Sequence, residues 1–114
     1  MPTFEKFAVV VVPFPFTDQN ASKKRPALVV SDVLFNGSVE HSVLAMITSA
    51  KHSSWLFDTT ITDLPSAGLT SPSIVRMKLF TLDNRLIIRQ SGMLHNNDQL
   101  VVADMLAKLF GGLK

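Results

Sequence analysis

The stretch VVVVPFPFTDQNASKKRPALVVS, from Val9 to Ser31, decides the reading of this chain. Two apolar runs, Val9–Val12 and Ala27–Val30, flank a loop that opens Pro13-Phe14-Pro15-Phe16 and closes Lys23-Lys24-Arg25-Pro26. Short β-branched runs bounded by proline and by Asp, Asn or Ser read as buried strands. Proline has no N–H for a sheet ladder, so Pro13 and Pro15 are predicted to end the first strand. The segment between the strands is polar and ends in three adjacent cations. A strand, a polar arm, a basic anchor and a second strand suit a loop that closes over a polyanion.

Working outward, Val9–Val12 is the first predicted strand and Ala27–Ser31 the second. Asp32–Gly37 reads as a helical turn or loop, with Asn36-Gly37 as a turn signal. Ser42–Thr48 is a third strand and Ala50–Ser54 a polar loop. Trp55–Ile61 has the aromatic and β-branched content of a fourth strand. Pro65–Ser71 is a loop. Ser73–Leu79 alternates, with Ile74, Arg76 and Lys78 on one side and Val75, Met77 and Leu79 on the other. That period of two predicts a strand with one face on the core and two cations outside. Asp83-Asn84 is a turn, and Leu86–Ile88 opens a last strand running to about Leu94. The period then changes: Val101, Val102, Met105, Leu106, Leu109 and Phe110 follow helical spacing. Asn96 is the predicted cap, with Gln99 as its capping-box partner, and Gly111-Gly112 the stop. Several short strands and one terminal helix predict a mainly β domain, a small barrel or highly curved sheet with covered edges.

A chain of 114 residues with 46% hydrophobic content suits one domain with an ample core. The reading is therefore a single domain over residues 1–114. The absence of cysteine excludes a disulfide framework and thiolate chemistry. No apolar run approaches the roughly 20 residues of a membrane span. The N-terminus lacks a small-residue cleavage site, so a cytoplasmic protein is expected. His41, His52 and His95 are widely spaced and no metal-binding motif accompanies them, so neither a metal nor any other cofactor is expected. There is no GxxxxGK[ST], no GxGxxG and no G-x-S-x-G, which leaves nucleotide hydrolysis and serine hydrolysis without support.

A net charge of +2 says little about nucleic acid, but its placement says more. Lys23 and Lys24 alone read equally as a solvated face. Arg25 directly precedes Pro26 at the mouth of a buried strand, where a floppy surface cation has no structural purpose. RNA cleavage needs no metal or nucleophilic side chain, because the 2′-hydroxyl is itself the nucleophile. It needs charge stabilisation on the phosphorane, and an arginine fork holds phosphate oxygens bidentately without deprotonating. A threonine hydroxyl, restricted at χ1, can donate to the same oxygens. The alternatives are structural. Arg25 anchors the loop on Asp18; Thr48 caps a turn with Ser49; Trp55 belongs to the core; His52 contacts phosphate, shuttles a proton or is merely solvated. Phe14 and Phe16 point to one side and pack the loop base on the core rather than stacking on bases.

The Val9–Ser31 block resembles the N-terminal signature of the PemK/MazF/Kid group, the toxin endoribonucleases of bacterial toxin–antitoxin modules. The resemblance continues in Met46-Ile47-Thr48-Ser49, in Gly68-Leu69, in Pro72-Ser73-Ile74-Val75-Arg76 and in the C-terminal helix, and so covers nearly the whole chain. It implies an SH3-like barrel with appended helices and metal-independent cleavage of single-stranded RNA to a 2′,3′-cyclic phosphate and a 5′-hydroxyl. The arginine of K-R-P and the threonine of T-S carry catalysis in that group; these fall on Arg25 and Thr48. Thr17, Asp18, Lys23, Lys24, Ser49, Lys51, His52, Arg76 and Lys78 are the expected RNA contacts. The implied partners are a second copy of the chain and an antitoxin protein with an acidic tail, with DNA met only indirectly through the antitoxin complex. Two positions depart from the pattern. Phe7-Ala8 stands where many members have Gly-Asp, and Lys78 where some place an acid. The rival readings are a non-catalytic RNA-binding barrel and a gyrase-poisoning toxin. The latter depends on a C-terminal tryptophan, and the only tryptophan here is Trp55.

Overall fold

The computed structural model describes residues 3–15 and 23–112. Six antiparallel strands form one sheet, curled into a half-barrel, in the order β4-β5-β3-β2-β1-β6. The strands are β1 (Ala8–Phe14), β2 (Lys23–Val29), β3 (His41–Ser49), β4 (Thr59–Thr60), β5 (Ser73–Asp83) and β6 (Arg89–Met93). Helix α1 (Val33–Val39) joins β2 to β3, α2 (Leu64–Ala67) follows β4, and α3 (Asn96–Leu109) closes the described chain. A 3-10 turn, Asn84–Leu86, separates β5 from β6.

The runs that read as buried strands are buried on both faces, which is why they are continuous rather than alternating. Val9 and Leu28 join Ala45, Ile47, Val75, Leu94 and Val102 in a cluster under α3. Ala8, Val10, Val12, Ala27 and Val29 join Leu44, Leu82 and Ile87 on the opposite face. Fully burying one such side chain stabilises by about 1.5–3 kcal/mol.

Of the three prolines in the opening stretch, Pro13 and Pro26 lie inside strands, beyond the expected bounds, whereas β1 ends just before Pro15 as expected. β1 continues through Pro13 and Phe14, and β2 begins at Lys23. Ile88 N–H donates to Val11 O, so β1 groups at Val11 and Pro13 point toward β6. The β6 ladder ends at Val11, leaving the nitrogen of Pro13 on an unpaired side. Val30 N–H donates to Val43 O, which puts Pro26 on the β3 side, just beyond the ladder's last pair, Ala27 with Met46. Neither proline breaks a hydrogen bond.

Other boundaries moved for local reasons. Only Thr59–Thr60 of the predicted fourth strand pairs. The Asp58 carboxylate accepts from Trp55 N–H at 2.8 Å, Asp58 N–H donates to Trp55 O, and Phe57 has φ 70°, so a turn replaces the strand. Asp32 caps α1 by accepting from Leu34 N–H. Asn36 is no turn residue there: it is buried in α1 and donates to Phe4 O and Ser31 O. The Pro65–Ser71 segment opens as α2, capped by Asp63 on Ser66 N–H. The cap of α3 is His95 rather than Asn96, and Gln99 donates to Leu94 O instead of completing a capping box. Val101 and Phe110, placed by period on the apolar face, are exposed, while Gly111 ends the helix region at φ 71° as expected.

The half-barrel is drawn together where α2 meets β6. A Cβ on Gly92 would stand 2.3 Å from Ser66 O, and Gly68, at φ 73°, lies against Ser91 O. Ser91 Oγ donates to Ala67 O across this contact. Only glycine permits so close a backbone approach.

Candidate active site

Directly paired residues on antiparallel strands project to the same face. Val12 pairs with Arg25, and Met46 with both Ala27 and Arg76. The period of two then aligns Phe14, Arg25, Met46, Thr48, Arg76 and Lys78 on one face of four adjacent strands. Between Ala45 and Met46 the register jumps from Leu79 to Arg76, an irregularity of the kind that re-aims side chains beside functional sites. Together with Trp55 from the loop after β3, these six residues line a pocket of about 170 Å³. It sits on the same face as the Val10–Leu44 cluster, which gives it a rigid floor.

Each of the two arginines lies against an aromatic ring. The Arg25 guanidinium carbon is 4.9 Å from the Phe14 ring centroid. That of Arg76 is 4.9 Å from the Trp55 ring. Otherwise the two differ. Among the described residues, Arg25 Nε is buried without a hydrogen-bond partner. Arg76 is held tightly: Nε donates to Asp58 Oδ1 at 3.2 Å, and Nη2 donates to Asp58 Oδ2 at 3.0 Å and to Ser53 O. Arg76 and Asp58 side chains are only 10% and 13% exposed. Partial burial raises the Asp58 carboxyl, but hydrogen bonds from Arg76 and the Trp55 N–H, with the Arg76 charge, outweigh it. The net effect holds Asp58 below its ordinary value.

The expected site residues therefore separate. Arg25, Thr48, Arg76 and Lys78 come together in the pocket. Arg76 is not the outward cation that the alternation of β5 suggested: its face of the strand carries the pocket, and Asp58 neutralises it there. The turn after β3 is made by Ser49, whose Oγ accepts from Lys51 N–H, so Thr48 has no capping role. Ser49, Lys51 and His52 are exposed and do not line the pocket. Lys23 shares the Arg25 face by period, but Lys24 projects to the other side of β2. There it borders a second hollow, of about 350 Å³, which Arg25, Arg89, Leu69 and Ile88 also line, so Arg25 reaches both hollows and Lys24 only this one. Thr17, Asp18 and Phe16 lie outside the described residues, and with them the Arg25–Asp18 pairing.

Two aromatics assigned to packing belong to the site instead. Trp55 is 46% exposed and Phe14 38%. Asp58 carries no sequence signal beyond the turn propensity of any aspartate, and its partner Arg76 is distant in sequence. Among the described residues no three His, Asp or Glu side chains gather around one point, and no helix is long and apolar enough to cross a membrane.

A helix-backed antiparallel half-barrel with an arginine-walled pocket on one face defines a compact class of β-fold protein. Within that class the match is specific: the family described as PemK-like, MazF-like toxin of type II toxin–antitoxin systems matches residues 5–110, and the chain belongs to this family of endoribonuclease toxins. No curated protein matches the sequence. Among solved structures, a MazE–MazF complex from Deinococcus radiodurans superposes with TM-score 0.76 at 21% identity, covering 99% of this chain and 100% of that one. The Mycobacterium tuberculosis toxin MazF-mt6 gives 0.74 at 18% identity, over 94% and 99%. An endoribonuclease in complex with its cognate antitoxin from Mycobacterial species gives 0.77 at 17%, over 100% and 99%. At these identities the likeness is one of fold.

Proposed function

We propose that this protein is a metal-independent endoribonuclease, the toxin of a toxin–antitoxin module, which cuts single-stranded RNA by attack of a 2′-hydroxyl on the adjacent phosphorus. The observation that carries this reading is Arg25. Arg25 lines the pocket with Thr48, and among the described residues its buried Nε has no hydrogen-bond partner. A charged donor left unsatisfied in a fold is costly, and a phosphate oxygen is the natural acceptor for it. In the reaction the 2′-O–P bond forms and the P–O5′ bond breaks, giving a 2′,3′-cyclic phosphate and a 5′-hydroxyl. Arg25 neutralises the nonbridging oxygens as charge grows on them, and Thr48 donates its hydroxyl to the same group. Both stand on strands, so the donors are preorganised.

The protein acts in the cytoplasm as a homodimer and is restrained by an antitoxin, through which alone it meets DNA. Exposed Leu34, Leu56, Leu100 and Phe110 offer apolar surface for such partners. The relatives crystallised with antitoxins support the same assignment. The test is incubation of purified protein with a long RNA, mapping of the new 5′ ends, and repetition with excess EDTA. Cleavage leaving 5′-hydroxyls and surviving chelation is expected. Loss of activity on chelation, restored by one divalent ion, would refute metal independence. Binding without cleavage would favour the non-catalytic reading, to which Lys78 in the pocket lends its only specific support.

A further inference from the structure

We propose that the loop from Ala50 to Asp58 is a base-stacking arm. In it Trp55 is the stacking surface for one nucleobase, and Asp58 is the positioning residue that holds Trp55 and Arg76 in register. This deepens the RNA reading of the pocket and rests on it.

A lone tryptophan in a small β domain is ordinarily core, yet Trp55 leaves 46% of its surface exposed while twenty smaller apolar side chains among the described residues are buried. The Arg76 guanidinium covers the ring at 4.9 Å from its centroid. Arg76 is fixed by Asp58, and Trp55, half-exposed, lines the pocket that Arg25 and Thr48 share. An indole backed by a fixed guanidinium and half-exposed beside a pocket that Arg25 and Lys78 line is a stacking platform for an unpaired base. Stacking needs a π-face and no particular hydrogen bonds, so the ligand class is a base of single-stranded RNA next to the phosphate on Arg25.

Asp58 makes the arrangement rigid. One carboxylate accepts from Arg76 Nε and Nη2 and also from the backbone N–H of Trp55. Arg76 adds a bond to Ser53 O, so a single guanidinium ties the loop to β5 at two points. A buried ion pair of this kind contributes little net stability, because desolvating both charges offsets their attraction. What it supplies is position: one carboxylate holds both the Trp55 backbone and the Arg76 guanidinium, so the indole is carried on a fixed backbone beside a fixed cation.

Trp55 is the only tryptophan, so intrinsic fluorescence reports on it without a label. The probes are a 2′-O-methyl oligoribonucleotide, which cannot be cleaved, and an abasic oligomer of equal length and charge. Saturable quenching by the base-bearing strand and little by the abasic one is expected. Anisotropy with a labelled 2′-O-methyl strand should show Trp55→Ala binding about ten-fold or more weakly and Trp55→Phe in between, as for loss of one stacked base. Asp58→Asn should keep the fold by circular dichroism yet reduce both affinity and quenching, with Asp58→Glu recovering part of each. Equal quenching by both oligomers, no binding of either, or wild-type affinity in Trp55→Ala overturns the proposal. So does wild-type quenching in folded Asp58→Asn; if that variant does not fold, the Trp55 variants decide. A parallel cleavage assay separates the two readings. Base-dependent quenching without cleavage removes the enzymatic reading and leaves the arm; cleavage without it removes the arm alone.

Discussion

Replacing Arg25 by methionine should stabilise the fold while abolishing activity. Arg25 Nε is buried and unpartnered among the described residues, and leaving a buried donor unsatisfied costs about 1–3 kcal/mol. Removing the guanidinium relieves that cost and forfeits the contact with the half-exposed Phe14 ring, a cation–π interaction of about 0.5–1 kcal/mol at such a site. Methionine retains an unbranched stem and its sulfur can still lie against the ring. The net gain is about 1 kcal/mol, which for a domain of this size raises the melting temperature by about 4 °C. Single-turnover cleavage at saturating enzyme should meanwhile fall by at least about 10²-fold, the usual cost of one transition-state donor. Arg25→Lys should rescue only part of this, since a point charge does not reproduce the fork. Scanning calorimetry and rapid-quench cleavage read the two effects separately. A melting temperature several degrees below wild type would show that Arg25 is a structural anchor, and wild-type cleavage by Arg25→Met would remove it from the chemistry.

Thr48→Val keeps the side-chain shape without the hydroxyl and should lose about 10²-fold or more in single-turnover rate, whereas Thr48→Ser keeps much of it; the reverse order would exclude the hydroxyl. Gly92→Ala drives a Cβ into Ser66 O and should lower stability by about 1–3 kcal/mol in urea unfolding. Gly37→Ala, inside α1 with only ordinary contacts to Thr3, should raise stability by about 0.5–1 kcal/mol in the same assay. Asp58 is held below its ordinary value, so its contribution is full above about pH 4 and is lost as pH falls through the depressed folded value. Asp58→Asn should therefore show a shallower acid loss of stability than wild type; identical slopes below pH 4 would contradict the ion pair.

The strand-forming runs were legible because burial on both sheet faces leaves an unbroken apolar signature, and α3 because its 3.6-residue period survives even though Val101 and Phe110 turn outward. Arg25, Thr48, Arg76 and Lys78 could be named from motif and alternation, since a period of two states which residues share a face. Their neighbours could not. Pro13 and Pro26 look like strand breakers until the ladders are known, because whether a missing N–H matters depends on which strand lies beside it. Lys23, Lys24 and Arg25 look like one basic patch, yet the period of two alternates their side chains along β2, and of Lys24 and Arg25 only Arg25 lines the pocket with Thr48. Asp58 and Arg76 are 18 residues apart, and only the β3–β5 register and the turn at Trp55 bring them within hydrogen-bond distance. Local sequence thus determined the long elements, the fold class and the principal cations, because propensity and period act over a few residues, but not the short β4 and α2. The tertiary structure alone decided which cations face one another, which are neutralised and which aromatics stay open, because those depend on register and on contacts across the sheet.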